Sequence, residues 1–186
     1  LGVRDLGENR VQQLTEHAQA LEQMGVENVR FHFIGTLQKN KVKYLADRAV
    51  MIHSVDSLPL AEEIERQMAK RGKRMDVLVE INSGNEASKS GVAMSEAAEL
   101  CEEIARLPHL NLRGFMTMAP KCEKNEDYRK YFRETYKIGL DIWAKKLHNI
   151  GRPIFSMGMS ASFPIAIEEG ADFVRVGRRL SVPPEE

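Results

Sequence analysis

The sequence predicts an α/β fold, in which helices cover a mostly parallel β-sheet, and three observations predict it. Short apolar runs alternate with amphipathic stretches along most of the 186 residues, as is typical of parallel sheets. The runs number seven, one fewer than a closed (β/α) barrel needs. The first turn, Gly7-Glu8-Asn9-Arg10, lacks the Gly-rich fingerprint of an open dinucleotide-binding sheet. We therefore expect a TIM-type (β/α) barrel that lacks its first β/α unit, with an open doubly wound sheet as the structural alternative.

The predicted elements follow one another in strict order. The candidate strands are residues 3–7, 28–34, 50–54, 75–82, 110–118, 153–156 and 173–177. Apolar residues at helical spacing predict six helices between or after these strands, and the second of them is expected over residues 37–48. The other five are expected to begin near Val11, Ser57, Ser95, Asp127 and Ser162. Four of these five are Ser or Asp, residue types that favour helix starts.

Composition is that of one ordinary soluble domain. The 27 basic residues balance the 27 acidic ones, so no overall charge favours a nucleic-acid or membrane partner. Two cysteines, without a metal-binding pattern, predict free thiols in a reducing compartment, and hence a cytoplasmic protein without a metal. The abrupt start at Leu1 leads us to expect that residues 1–186 form a single barrel domain, incomplete at its N-terminus.

The last predicted strand carries the most informative candidate residues. Ligand groups in such barrels lie at the carboxyl ends of the strands and in the loops that follow. Alternation along the strand turns Phe173, Arg175 and Gly177 towards the interior. A buried Arg needs an anionic partner, which is either Glu80 on an earlier strand or a bound ligand. Gly177 lets a ligand oxygen approach the backbone N–H closely.

The segment Ser156-Met157-Gly158-Met159-Ser160 ends the preceding strand and leads into a helix. The hydroxyls of Ser156 and Ser160, the glycine and the helix start are neutral donors that suit a phosphate. Together with Gly177 and Arg178, they occupy the last two strands, where such barrels often bind phosphates. The alternative is an ordinary turn with two solvated serines.

Four further residues are candidates, each with a structural alternative. His32 is either a ligand contact or a satisfied core histidine on its strand. Asn9 either faces a ligand or caps the following helix. Met116 either lies beneath an aromatic ring or packs in the core. Lys89 is either a secondary cofactor contact or a solvated loop lysine.

These residues, in this order, resemble the pyridoxal phosphate homeostasis proteins, which are relatives of the N-terminal barrel domain of alanine racemase. The resemblance spans almost the whole chain and lies in short segments. They are Leu-Gly-Glu-Asn (Leu6–Asn9), His-Phe-Ile-Gly-Thr-Leu-Gln (His32–Gln38), Ser-Lys-Ser-Gly (Ser88–Gly91), Gly-Phe-Met-Thr-Met (Gly114–Met118), Ser-Met-Gly-Met-Ser (Ser156–Ser160) and Val-Arg-Val-Gly (Val174–Gly177).

The resemblance implies a pyridoxal 5'-phosphate (PLP) carrier in vitamin B6 homeostasis, without established turnover, that contacts cofactor-accepting apoenzymes transiently. It implies that Ser156–Ser160 and Gly177 hold the phosphate, that Arg175 lies near the pyridine nitrogen, and that Asn9 and Met116 line the ring. The lysine that links the cofactor in this family would lie upstream of Leu1, and Arg178 stands where the family tends to have a small hydroxyl residue. Two alternatives are a PLP-dependent, racemase-like enzyme and an inactive truncated fragment.

Overall fold

The framework of the protein is one parallel sheet of seven strands, seen in a computed structural model that describes residues 2–86, 90–145, 151–177 and 180. The strands are β1 (Asp5–Glu8), β2 (Arg30–Phe33), β3 (Ala49–Val55), β4 (Met75–Ile81), β5 (Leu110–Thr117), β6 (Ile154–Met159) and β7 (Phe173–Arg175). Each strand pairs in parallel with the next one along the chain. This sequential order confirms the predicted barrel class, because the strand order of a doubly wound sheet reverses partway.

Helices connect successive strands. The α-helices are α1 (Val11–Gln23), α2 (Val42–Leu45), α3 (Leu58–Ala69), α4 (Ala97–Ala105), α5 (Tyr128–Trp143) and α6 (Phe163–Glu168). The helix predicted over 37–48 is wrong in extent, because Gln38 keeps an extended backbone (φ −78°, ψ 138°) and a 3-10 turn at Lys39–Lys41 precedes α2. The helix expected near Ser95 begins at Ala97 instead.

The outer face of the sheet packs under the helices and forms the larger part of the core. Phe33, Val77 and Phe115 are fully buried there. From the helices, Ile64 of α3 and Phe132 of α5 cover them. Burial of each such side chain contributes roughly 1.5–3 kcal/mol, so this layer anchors the strands on which the interior residues stand.

The inner face of the sheet has two layers that differ in chemistry. Met51, Leu78 and Met116 form a separate apolar cluster, with Ile154 against it. A second set of residues lies two positions further along the chain from each of these four, and Met118 in it lies just past the end of β5. The set is His53, Glu80, Met118 and Ser156. Because strand side chains repeat every second residue, these two sets face the same interior at successive heights. The interior is therefore apolar below and largely polar above, towards the carboxyl ends of the strands.

The sheet curls until its last strand approaches its first two. The ring centroid of Phe173 on β7 lies 5.3 Å from that of His32 on β2, and residues of β1 and β7 line one cavity. No strand pairing joins β1 to β7 in the part of the chain that the structure describes. Within the same described ranges, no helix is both long and apolar enough to cross a bilayer.

Candidate functional site

A cavity of about 250 Å³ opens at the carboxyl ends of the strands, between β1 and β7. Asp5, Gly7 and Asn9 line one side, and residues 173–177 line the other. His32, Ile34, His53, Met118 and Met159 complete its wall. Its volume suits one small ring-bearing molecule, and several titratable groups converge on it, which is the usual character of a ligand site.

Arg175 is the charged group at the centre of this wall. Its Nη1 donates to Ser156 Oγ at 2.7 Å, and its Nη2 donates to the Thr117 carbonyl oxygen at 2.8 Å. Both acceptors are uncharged, so the positive charge of the guanidinium is not neutralised by direct contact with them. Burial lowers the pKa of Arg175 to about 10, although the Glu80 carboxylate partly offsets this effect. The guanidinium therefore remains a cation at neutral pH.

The structural partner considered for Arg175, Glu80, is not hydrogen-bonded to it in the described part of the chain. Glu80 accepts a hydrogen bond from Ser90 Oγ at 2.8 Å, and its second carboxylate oxygen has no hydrogen-bond partner there. Burial raises the pKa of Glu80. Arg175 thus faces the cavity with a buried carboxylate behind it and no direct ion pair among the described residues.

A hydrogen-bonded chain of side chains, here called the relay, runs along the cavity from Arg175 to Asp5. Its members are Arg175, Ser156, His53, His32 and Asp5. Ser156 Oγ lies 2.9 Å from His53 Nδ1, His53 Nε2 lies 2.9 Å from His32 Nδ1, and His32 Nε2 lies 3.0 Å from Asp5 Oδ1. Five different strands thereby contribute to one polar network.

The far end of the relay is fixed by a second arginine. Arg30 donates from Nε and Nη2 to the two carboxylate oxygens of Asp5, each at 2.7 Å. The hydrogen bond from Arg30 is the main factor that lowers the pKa of Asp5. Burial is the main factor that holds the pKa of His53 well below its ordinary value, followed by the nearby His32 and Arg175. Asp5 is accordingly an anion and His53 a neutral imidazole at neutral pH.

The two turns predicted to hold a phosphate lie side by side. The backbone N–H of Gly177 is 3.3 Å from Ser160 Oγ. Gly158 has φ +90°, and a Cβ there would lie 2.5 Å from the Cβ of Ala166, so the turn depends on glycine at this position. A Cβ at Gly177, in contrast, would meet no heavy atom within 4 Å and would point into open space.

The structure separates the candidate residues that line the cavity from those that support it. Asn9, His32, Arg175 and Gly177 line it. The proposed capping role of Asn9 is wrong, because the N-cap position of α1 is Arg10, and no side chain caps it. His32 is both a cavity residue and a satisfied buried histidine, so the two readings of the sequence do not exclude each other.

Ser156, Ser160 and Met116 are not among the residues that line the cavity, in contrast to what the sequence suggested. Ser156 is fully buried, and its hydroxyl lies between His53 and Arg175 rather than towards a phosphate turn. Met116 is fully buried in the lower apolar layer, and Met118 stands on the cavity wall in its place. The alternation of β5 permits this, since both methionines face the interior and Met118 lies nearer the carboxyl end. Lys89 and Arg178 lie outside the described residues.

Sequence reasoning missed His53 and Asp5, which the structure brings into the relay. His53 belongs to the apolar stretch Met51–Val55 and shares a face with Met51, so a polar residue on an otherwise buried strand was the available signal. Asp5 gave no local signal, because its partners lie 25 and 27 residues further along the chain. Among the described residues, no group of three or more His, Cys, Asp or Glu side chains is arranged to hold a metal ion.

A second, larger cavity of about 640 Å³ lies in the helical layer, between α1 and residues 36–44. Gln12 and Thr15 of α1 line it, together with Phe33 and Tyr44. Its charged lining residues, Arg10, Glu16 and Lys41, are exposed. Those of the interior cavity are buried or half-buried and joined by hydrogen bonds, and such convergence is a better guide to function than volume. We therefore place the candidate site in the smaller cavity.

Fold and site together define a parallel (β/α) barrel with a cavity between its first and last strands. The sequence profile of the family described as "Alanine racemase, N-terminal domain" matches residues 1–181. Curated relatives narrow this further, and the chain belongs to the pyridoxal phosphate homeostasis protein family within that class. The resemblance inferred from short segments of the sequence is thereby confirmed.

Individual relatives agree with this assignment. The pyridoxal phosphate homeostasis protein of Aquifex aeolicus is 42% identical over 179 residues, which are 96% of this chain and 76% of that protein. The structure of PipY from Synechococcus elongatus PCC7942, solved with PLP bound, has a TM-score of 0.86 at 26% identity, over 96% of this chain and 82% of that one. Alanine racemase of Clostridium difficile 630 has a TM-score of 0.78 at 20% identity, over 99% of this chain and 46% of that one, and shows the common fold alone.

Proposed function

We propose that this chain binds PLP in the interior cavity and serves as a carrier of the cofactor in vitamin B6 homeostasis. The observation that carries the proposal is the inward guanidinium of Arg175, held by two uncharged acceptors beside the paired Ser160 and Gly177 turns. A cation on the cavity wall, and a neutral hydroxyl next to Gly177 at its edge, suit a ligand with an anionic phosphate and a ring nitrogen.

The residues present fit that ligand. A Cβ at Gly177 would occupy open space. The Ser160 hydroxyl oxygen accepts the hydrogen bond of the Gly177 N–H, so its own proton can be donated to a phosphate oxygen. Met118 and Phe173 supply apolar surface on the cavity wall for a planar ring. When bound, PLP supplies a reactive aldehyde and an electron-withdrawing ring. A cation at the ring nitrogen discourages its protonation, and we assign this role to Arg175.

We propose that the chain holds and delivers the cofactor without turnover, in the cytoplasm, through transient contact with apoenzymes. The names of the curated relatives support this reading, since they describe homeostasis rather than a reaction. Racemase chemistry of this class needs acid and base groups on both faces of the substrate. The titratable groups of the interior cavity, Asp5, His32, His53 and Arg175, are instead engaged with one another in the relay.

Equilibrium dialysis with PLP tests the site through two matched glycines. We expect Gly177→Val to weaken PLP binding by about tenfold or more, because the valine fills the open space beside Ser160. Gly151→Val is the control, since a Cβ there also meets no heavy atom within 4 Å and Gly151 is not among the residues of the cavity wall. Both variants should melt at the wild-type temperature.

Equal PLP affinity of the two valine variants would overturn the site, and no binding to the wild type would overturn the function. The carrier role has its own test, which follows the stereochemistry of L-alanine with added PLP. We expect the L-enantiomer to remain unchanged. Conversion to the D-enantiomer by the wild type, lost in Arg175→Leu, would replace the carrier with a racemase-like enzyme.

A further inference from the structure

The relay between Arg175 and Asp5 is satisfied by one arrangement of protons. Arg175 donates to Ser156 Oγ, so the serine hydroxyl is free to donate to His53 Nδ1. His53 must then carry its proton on Nε2 and donate to His32 Nδ1. His32 in turn carries its proton on Nε2 and donates to the Asp5 carboxylate. Every bond has one donor and one acceptor, and both imidazoles are neutral.

The reverse arrangement leaves a defect at each end. If His53 donates from Nδ1, then Ser156 Oγ receives two hydrogen bonds, and its own proton has no acceptor among the described partners of the relay. His32 would then donate from Nδ1 to His53 Nε2. Its own Nε2 would either be unprotonated, with a lone pair facing the Asp5 carboxylate, or protonated, which would make His32 a cation. A buried hydroxyl without a partner costs about 1–3 kcal/mol. The forward arrangement is therefore favoured.

The surroundings protect this arrangement from water. His32 and His53 are 6% and 2% exposed, and their ring centroids lie 5.3 and 5.6 Å from that of Phe173. Charged groups lie at both ends of the two histidines. At one end is Asp5, which is paired with Arg30. At the other end is Arg175, which has Glu80 nearby. Two neutral rings and a hydroxyl thus separate the cation on one side of the cavity from the anion on the other.

We propose that His32 and His53 are positioning residues, a pair of neutral imidazoles with fixed Nε2–H tautomers that hold Arg175 against the cavity through Ser156. The pair also keeps the Asp5 carboxylate from moving next to the guanidinium and neutralising it. Its effect on the cofactor rests on the proposed function, since Arg175 is the group that would contact the ring. The tautomers themselves are a property of the protein alone.

The tautomers are measurable without any ligand. NMR of imidazole nitrogens in isotope-labelled protein distinguishes a protonated ring nitrogen from an unprotonated one, and single substitutions assign the five histidines of the chain. At neutral pH we expect His32 and His53 each to show one protonated nitrogen, Nε2, and one unprotonated nitrogen, Nδ1. An Nδ1–H tautomer or a cation at either residue would overturn the proposal, whether or not the protein binds PLP.

PLP affinity tests the positioning role through a rescue. The side-chain amide of His53→Gln offers a donor and an acceptor at a spacing close to that of the two ring nitrogens, so it can bridge Ser156 and His32. His53→Leu removes both bonds. We expect His53→Leu to weaken PLP binding on the order of tenfold and His53→Gln to restore most of it in equilibrium dialysis.

Met51→Ala is the matched control, because Met51 precedes His53 on the same interior face and belongs to the apolar layer. It damages packing but leaves the relay intact, and its PLP affinity should equal that of the wild type at a temperature where it is folded. If Met51→Ala and His53→Leu lose PLP affinity equally, or if His53→Gln does not restore it, the histidines are ordinary core residues and the positioning role is wrong. Absence of PLP binding by the wild type would instead count against the proposed function.

Discussion

The two interior layers of the barrel use the same strands for opposite purposes. Met51, Leu78 and Met116 fill the lower layer, which is apolar and needs no hydrogen bonds. One alternation higher, His53 and Ser156 belong to a network that reaches Arg175 and Asp5. A shift of two residues along a strand changes the role of a side chain from packing to hydrogen bonding.

This difference shows how the barrel separates stability from function. The lower layer has no polar atom to satisfy, so its contribution depends on volume and shape alone. In the upper layer the polar groups need partners, and the five-member relay supplies them for His53 and Ser156 by linking strands that are distant in sequence. Substitutions in the two layers should consequently affect different measurements.

The largest effect on stability is expected from Leu78→Ala in the lower layer. Leu78 is fully buried, and its truncation leaves a cavity that costs about 2–5 kcal/mol in the free energy of unfolding. Urea denaturation measures this loss, and PLP affinity of the folded variant should not change. Leu140→Ala, at a 41% exposed position of α5, is the control and should cost less than about 0.5 kcal/mol. A changed PLP affinity in folded Leu78→Ala would mean that the layers are not separate.

Arg175→Leu should affect binding most strongly among substitutions of the upper layer. Loss of the charged donor is expected to weaken PLP binding by about 10- to 100-fold in equilibrium dialysis. Arg113→Leu, in the first half of β5 and away from the cavity, is the matched removal of an arginine and should bind normally. Equal affinity of the two variants would exclude Arg175 from the site.

Acid should weaken the folded state through His53. The pKa of His53 in the native state lies well below the ordinary 6.5 because the ring is buried. Below pH 6.5, His53 therefore becomes protonated in the unfolded chain but stays neutral in the native state. The resulting contribution to stability is complete above the unfolded pKa and is lost as pH falls towards the folded one, at up to about 1.4 kcal/mol per pH unit.

His53→Gln isolates this contribution, because glutamine does not titrate. The variant keeps the effects of Glu80, whose raised pKa opposes the trend, and of the lowered pKa of Asp5. The difference in unfolding free energy between wild type and variant should therefore shrink steadily from pH 6.5 downwards in urea titrations. A difference that stays constant would mean that His53 takes up its proton equally in the native and unfolded states, which would contradict its lowered pKa.

The smallest effects should distinguish the two methionines of β5 and its following loop. Met116→Leu conserves volume in the lower layer and should cost under about 1.5 kcal/mol, with no change in PLP affinity. Met118→Ala removes apolar surface from the cavity wall and should weaken PLP binding by a few-fold. Dialysis of both variants decides between them, and the reverse ranking would restore Met116 as the residue beneath the ring.

The sequence alone predicted the order of the elements and several residues of the cavity wall. Alternating apolar runs identified all seven strands, and the signal was strongest for strands such as β3 and β4, which are buried on both faces. The same alternation correctly turned Arg175 inward and set Gly177 at the turn beside Ser160. These features depend on residues that are close together in the chain.

What the sequence could not predict depends on distant contacts. The bond between His53 and Ser156 joins residues 103 positions apart, so no local pattern announces it. Ser156 was expected at a phosphate turn, whereas the structure turns its hydroxyl into the relay. The helix expected over 37–48 is shorter in the structure. Leu37 is buried, but the backbone at Gln38 is extended rather than helical.

A crystal structure of the chain grown with PLP tests the central claim most directly. We expect electron density for the phosphate against Ser160 and Gly177, and the ring between Met118 and Phe173 with its nitrogen towards Arg175. Density for PLP in the larger cavity between α1 and residues 36–44, with the interior cavity filled only by water, would contradict it.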